Sequence, residues 1–401
     1  MRPHKVVTVV GTRPEVIKMA PVIRELRLHP TLFEPVVVTT SQHREMLHQA
    51  LAAFDITPDV DLGLMQPNQG LTEFAARSMA ATARAFAELE ADALLVQGDT
   101  MTVVTAAFAA SYQGMFVGHV EAGLRSFDRD NPFPEELNRR LAGVLAHVHF
   151  APTPQARMNL LNEGIADRDI LVTGNTIVDA LQSMPEGGDY EDAALARIVE
   201  THRRLVLVTA HRRENQGPRL HSICTAIRRL AARFEDVEIV FPVHLNPNVR
   251  SVVFEELGEV PRVHLLEPLS YGDLLRVMRA SYFVLTDSGG IQEEAPSLRK
   301  PVLILRDVTE RPEVVDAGAG RLVGTDAARI VSEAATLLTD AREYARMSNT
   351  RNPFGDGRAA RRIAQMLAHR LSGAESSSIR VPSPFGSLTP GHGLAAVLER
   401  A

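Results

Sequence analysis

The feature that most constrains this chain is a rhythm. Short apolar runs rich in Val, Ile and Leu alternate with longer amphipathic stretches, and the whole pattern occurs twice. Residues 6–10, 35–39, 93–96, 115–119 and 148–151 read as strands, with helical stretches such as 15–28 and 71–89 between them. That alternation predicts βαβ units and a parallel sheet. The strands are almost wholly apolar, as a sheet covered by helices on both faces requires. A polar break, Pro185-Glu186-Gly187-Gly188-Asp189, interrupts the rhythm. Strands then resume at 205–209, 238–242, 262–266, 282–286 and 301–305. The expectation is an α/β protein of two doubly wound units. Ligands of such sheets bind beyond the carboxyl ends of the strands, here in the cleft between the two units.

Composition narrows the chemistry. With 401 residues, the chain has room for two domains at roughly 100–200 residues each. Lys and Arg total 43 against 49 Asp and Glu, a net charge of -6, which is not the basic footprint of a nucleic-acid binder. The sole cysteine, Cys224, rules out an internal disulfide and a multi-cysteine metal site, and it fits a reducing cytoplasm. No His-Glu-x-x-His occurs and no metal is expected. The absence of Gly-x-Gly-x-x-Gly after the first strand argues against a nicotinamide cofactor. No run approaches the roughly 18 apolar residues of a membrane span. Residues 372–401 carry Ser376-Ser377-Ser378, Pro382, Pro384 and Pro390, and are expected to form a flexible tail.

The strand ends carry the chemistry. Gly11-Thr12-Arg13-Pro14-Glu15 joins a strand to a helix, and Arg13 with the helix N-terminus offers an anion site. Gln97-Gly98-Asp99-Thr100 puts Asp99 at the next edge, where it can also serve as a helix cap. In His119-Val120-Glu121, two-residue spacing in an extended segment puts His119 and Glu121 on one side. Repulsion between Asp99 and Glu121 would raise one pKa and favour acid–base work, whereas a Glu121–Arg125 ion pair is the plainer alternative. Glu135 and Glu136 open a helix, where the dipole alone can explain them, and Glu135 can pair with Arg139 four residues on.

In the second half, His211 with Arg212 and Arg213 follows a strand, and His244 repeats that placement. Thr286-Asp287-Ser288-Gly289-Gly290-Ile291-Gln292-Glu293-Glu294 is the sharpest element. A strand ends, two glycines bare the backbone and a helix starts, which suits a diphosphate. Ser288 adds a hydroxyl, Glu294 can accept from ribose hydroxyls, and Arg311 after the next strand adds positive charge.

In this order, these elements resemble the non-hydrolysing bacterial UDP-N-acetylglucosamine 2-epimerase family, from about residue 6 to about residue 362. Gly118-His119-Val120-Glu121-Ala122-Gly123-Leu124-Arg125, the stretch 286–297 and Asn352-Pro353-Phe354-Gly355-Asp356-Gly357 carry the resemblance. It implies a glycosyltransferase-B-type architecture: Rossmann-like domains at 1–182 and 183–350, a helix at 351–371 crossing back to the first domain, and a tail at 372–401. It implies interconversion of UDP-N-acetylglucosamine and UDP-N-acetylmannosamine by elimination and re-addition of UDP, and a homodimer.

By the same resemblance Asp99, Glu121, Glu135 and His211 are catalytic. Arg13, Lys18, Arg139, Ser288, Gly289, Gly290, Glu294 and Arg311 hold the UDP-sugar. Gln42, His43 and His244 belong to segments around a second, activating UDP-N-acetylglucosamine. The sequence departs from many relatives at Gln97, where they carry histidine, and at Arg299, Leu269 and Leu274. The rival readings are a retaining glycosyltransferase, a hydrolysing epimerase that releases N-acetylmannosamine and UDP, and a sugar-nucleotide sensor without catalysis.

Overall fold

The structure, a computed structural model, describes residues 2–41, 44–66, 69–130, 132–185, 187–373 and 383–385. Gln42, His43 and most of the 372–401 segment lie outside the described residues. The first half runs β1 (His4–Val10), α1 (Arg13–Arg27), β2 (Phe33–Thr39), α2 (Arg44–Ala53), β3 (Val60–Asp61), α3 (Leu71–Leu89), β4 (Ala93–Gln97), α4 (Met101–Tyr112), β5 (Phe116–Val120), α5 (Glu135–Leu145), β6 (Val148–Ala151), α6 (Pro154–Asn162), β7 (Ile170–Val172) and α7 (Thr176–Ser183). The second runs α8 (Ala193–Val199), β8 (Arg204–Thr209), α9 (Pro218–Arg233), β9 (Val237–Pro242), α10 (Pro247–Leu257), β10 (Val263–Leu266), α11 (Tyr271–Ala280), β11 (Ser281–Thr286), α12 (Gly289–Ser297), β12 (Val302–Ile304), α13 (Pro312–Asp316), β13 (Gly320–Leu322), α14 (Ala327–Thr339), α15 (Ala341–Ser348) and α16 (Ala359–Leu371).

The strands form two sheets, ordered β3-β2-β1-β4-β5-β6-β7 and β10-β9-β8-β11-β12-β13. Every pairing is parallel, including β1 with β4 and β8 with β11. The order reverses beside β1 in one sheet and beside β8 in the other, and a crevice opens where helices leave opposite faces. The α/β expectation holds. The pattern did not reveal β3, β7 and β13, which have two or three residues and too few side chains to show a period.

Hydrophobic burial sets the layers. On α1, Val16, Ile17, Met19, Ala20, Val22, Ile23 and Leu26 are buried against the first sheet and its neighbours. A continuous core runs from Val6 and Ile23 through Leu181 to Leu205, Val284 and Ile304, so apolar contact joins the halves. The chain passes to the second sheet after α7 and returns through α16. That last helix packs on α1 and α7. Asp179 of α7 accepts hydrogen bonds from the Ala359 and Ala360 N–H groups at 3.2 and 2.9 Å. A side chain of the first half therefore caps the returning helix, and Arg370 at its far end pairs with Asp169 at 2.9 Å. Of the tail, residue 384 is held near the first sheet, where Arg351 donates to the Pro384 carbonyl at 2.9 Å.

Candidate active site

The loops after β1, β4, β5, β8, β9 and β11 meet around a cavity of about 510 Å³. Arg13, Lys18, Asp99 and Glu121 line it from the first half, and His211, His244, Ser288, Gly289, Gly290, Glu294 and Arg311 from the second. Of the sequence-predicted residues, Glu135 and Arg139 are not in its walls.

The loop after β1 is built around a carboxylate. Glu15 is buried and accepts from the N–H groups of Gly11 and Thr12 at 2.6 and 2.8 Å. Burial raises its pKa, against hydrogen bonds from Thr100, Gly11 and Thr12. A Cβ on Gly11 would sit 2.5 Å from the hydroxyls of Thr40 and Thr102, so only glycine fits this turn. Glu15 already occupies two of the loop's N–H groups, so the Arg13 side chain carries most of what this loop offers an anion. Arg13 lies 5.7 Å from the Tyr271 ring centroid, across the cleft.

Asp99 and Glu121 are each held by a cation. Arg139 Nη2 is 2.7 Å from Asp99 Oδ2, and Asn138 donates to the Asp99 carbonyl at 2.8 Å. Arg139 thus reaches the site through Asp99 without facing the cavity. It also pairs with Glu136 at 3.2 Å, not with Glu135 as the four-residue spacing predicts. Glu121 bonds to Lys18 and accepts from the Asn175 amide at 3.1 Å. Arg125 turns away and bonds Glu163 at 2.6 and 2.7 Å, so the plain Glu121–Arg125 pair is absent. Glu121 has φ 63°, a left-handed backbone that is costly for a residue with a Cβ. It has left the strand, and it does not share a side with His119 as an extended segment would require. His119 stays in β5 and donates from Nε2 to the Gly98 carbonyl at 2.7 Å. Burial pulls its pKa down to about 4.

The predicted Asp99–Glu121 repulsion is also corrected. Burial is what pushes Glu121 up, opposed by Lys18 and assisted by Glu293. Glu135 opens α5 with its Oε2 buried and unpartnered.

In the second half Asp287 organises the histidine loop. Its Oδ2 accepts from the N–H groups of His211 and Arg212 and from the Asn215 amide, each at 2.9 Å. His211 stacks on His244 with ring centroids 5.3 Å apart. Burial lowers the His211 pKa, helped by His244 and Arg212 and opposed by Asp287.

Helix α12 starts at Gly289. Ser288 gives it no side-chain cap, which leaves its leading N–H groups for an anion. A Cβ on Gly289 would lie 2.6 Å from Arg311 Nη1, so this glycine lets the guanidinium lie against the helix end. Glu294 meets the Tyr271 hydroxyl at 3.4 Å, and burial raises its pKa to about 7.

Sequence reasoning missed the residue that ties the halves together. Glu293 lies 2.7 Å from Lys18 Nζ and 2.7 Å from Arg311 Nε. Lys18 is held above its ordinary pKa by Glu121 and Glu293 despite burial. Glu293 is held low by Lys18 and Arg311, also despite burial. Glu310, between Arg306 at 2.6 Å and Arg311 at 3.6 Å, extends the chain of charges. The signal in the sequence was the Glu293-Glu294 pair, but adjacency does not say which carboxylate faces the cavity.

Two facing parallel sheets, with a cationic helix start and paired carboxylates between them, define a glycosyltransferase-B-like protein that handles a nucleotide sugar. Residues 24–368 match the family model described as UDP-N-acetylglucosamine 2-epimerase. The chain belongs to the UDP-N-acetylglucosamine 2-epimerase family, and it is an isomerase of that class. It is 50% identical over 369 residues to the Escherichia coli K12 UDP-N-acetylglucosamine 2-epimerase, covering 90% of this chain and 98% of that protein. Two solved structures are similar throughout. The Neisseria meningitidis enzyme bound to UDP-N-acetylglucosamine is 44% identical with TM-score 0.84, covering 90% of this chain and 99% of that one. The S. aureus MnaA–UDP structure is 44% identical with TM-score 0.87, covering 96% and 100%.

Proposed function

We propose that the chain inverts carbon 2 of UDP-N-acetylglucosamine by eliminating and re-adding UDP, with Asp99 and Glu121 as the proton-transfer pair. The hydrogen on carbon 2 is not acidic, because no carbonyl is conjugated to that carbon. Breaking the carbon 1–oxygen bond first sends its electron pair to UDP and leaves positive charge on the sugar ring. A carboxylate then takes the carbon 2 proton, and those electrons form the double bond of 2-acetamidoglucal. For the return, a UDP oxygen bonds to carbon 1 while carbon 2 receives a proton on the opposite face, giving UDP-N-acetylmannosamine. No oxidant or reductant is required.

The observation that carries this reading is the placement of Asp99 and Glu121. They stand at the ends of adjacent strands, each held by its own cation, and open into the same cavity as the start of α12. Two acid–base groups are what proton transfer on two faces needs. Arg13, Arg311 and the N–H groups of Gly289 and Gly290 stabilise the leaving diphosphate, with Ser288 and His211 donating hydrogen bonds. Glu294 and Tyr271 suit the nucleoside end. Glu135, whose buried Oε2 is unpartnered, assists from the start of the helix that carries Arg139. Closure of the two halves keeps water from the glucal.

Incubation with UDP-N-acetylglucosamine in deuterium oxide, without an acceptor, tests the reading. Deuterium at carbon 2 of both UDP-sugars is expected. Free UDP rising in step with N-acetylmannosamine would favour a hydrolysing enzyme, and recovery without deuterium would leave only a binder.

The homodimer is also proposed here. Tyr112 and Val144, exposed on the neighbouring helices α4 and α5, suit a subunit contact that sedimentation would detect. A second UDP-N-acetylglucosamine as activator fits His244, which lines the cavity and stacks on His211. Sigmoidal rate curves that flatten in His244→Ala would support it. A cytoplasmic site fits the single buried cysteine, Cys224, and can be checked by cell fractionation.

A further inference from the structure

Glu293 is an enclosed charge beside the cavity, its side chain 1% exposed, and it is absent from the cavity wall. It cannot touch a substrate there. Its two oxygens are nevertheless both engaged, Oε2 with Lys18 from α1 and Oε1 with Arg311 from the loop before α13, each at 2.7 Å. Lys18 in turn bonds Glu121 at the end of β5. One continuous path of charge therefore runs Arg311–Glu293–Lys18–Glu121, from the diphosphate end of the cavity to a proton-transfer carboxylate and from one half of the molecule to the other.

We propose that Glu293 is a positioning residue that couples capture of a diphosphate at Arg311 to the basicity of Glu121. This rests on the role given to Glu121 above. An anion at the start of α12 takes part of the Arg311 charge. Glu293 then leans harder on Lys18, and Lys18 is shared less with Glu121. Glu121 becomes a stronger base while the leaving group is being held. Departing UDP carries more negative charge than the sugar-bound ester, so the effect grows as the carbon 1–oxygen bond breaks. The groups facing Glu121 are Lys18 from α1, Glu293 from α12, Arg311 from the following loop and the uncharged Asn175 amide at the start of α7. The direct field of the anion acts on Glu121 as well, so the part relayed through Glu293 has to be separated by substitution.

The experiment is UDP binding by calorimetry in buffers of differing ionisation enthalpy, across about pH 5 to 8, which yields proton uptake and hence the Glu121 midpoint in free and bound enzyme. Glu121→Gln subtracts the titration of UDP itself. The expected result is a midpoint that rises on UDP binding in the parental enzyme, with the rise cut by about half or more in Glu293→Gln. Glu293→Asp is one methylene too short to span both cations. It should show the same reduction, and it keeps the test open if the glutamine variant fails to fold. An unchanged rise in whichever variant binds UDP overturns the proposal, because a merely structural Glu293 would alter affinity or stability and leave this gap intact. The readout does not use epimerase activity. If Glu121 is not the proton-transfer group, Glu121→Gln would still exchange deuterium while the gap remains.

Discussion

Lys18 and Glu293 meet 2.7 Å apart at the seam between the two sheets, with side chains 6% and 1% exposed. Such a pair depends on being complete. Removing one partner leaves a charge out of water with nothing to balance it, which is far worse than removing both. The first prediction follows from that asymmetry.

Lys18→Met leaves buried Glu121 without its cation and beside Glu293, which keeps only Arg311. A loss of about 3–5 kcal/mol in unfolding free energy is expected, read from urea denaturation. A loss below about 1 kcal/mol would mean that water reaches the pair.

Asp99→Asn keeps the size of the side chain and its contact with Arg139 but removes the base. The turnover number should fall by about 10²–10⁴-fold with little change in KM, and deuterium wash-in should fall in parallel. Wash-in at the parental rate would remove Asp99 from proton transfer.

Gly289→Ala places a methyl 2.6 Å from Arg311 Nη1 and forces the guanidinium away from the helix start. UDP affinity should drop about tenfold, or about 1.4 kcal/mol. Gly290→Ala, where the nearest neighbour of a Cβ is Ser288 Oγ at 3.9 Å, is the control for backbone stiffening.

His119 and His149 are neighbours across β5 and β6, and burial pulls both pKa values down to about 4. Unfolding lets each bind a proton near pH 6.5. Between about pH 4 and 6.5 the unfolded chain therefore holds more protons, and stability must fall as the solution is acidified through that window. His119→Gln should reduce the slope by up to about 1.4 kcal/mol per pH unit relative to the parent, measured by urea midpoints from pH 7 to 5. Asp179, whose pKa burial raises to about 6, works in the opposite direction, so the difference between variant and parent is the quantity to read.

Asp179→Ala removes the cap on α16. A loss of about 0.5–2 kcal/mol is expected, with faster proteolytic release of residues beyond 358.

Much of this was legible in the sequence because strand-end loops announce themselves. Gly11, Gly98 and Gly289 each lie within a few residues of a strand end, and Arg13, Asp99 and Glu294 after them reach one crevice, as the parallel topology dictates. What periodicity does not encode is which way a side chain turns once the regular element ends. Glu293 and Glu294 are adjacent on a helix, about 100° apart. One lines the cavity and the other is buried behind it. Glu135 and Glu136 are adjacent too, and Glu136, not Glu135, holds Arg139. Glu15 turns back on the loop and takes the Gly11 and Thr12 N–H groups, which the string Gly11–Glu15 does not reveal. The shortest strands were lost because two or three residues cannot display alternation.

The return of α16 onto α1 and α7 has a mechanical corollary. The polypeptide bridges the halves at two places, once leaving α7 and once re-joining it, and Asp179 pins the second bridge near the first. A body fastened at two points swings like a door on its pins. Two crossings set close together restrict how one half can turn on the other, and they favour an axis that runs through both.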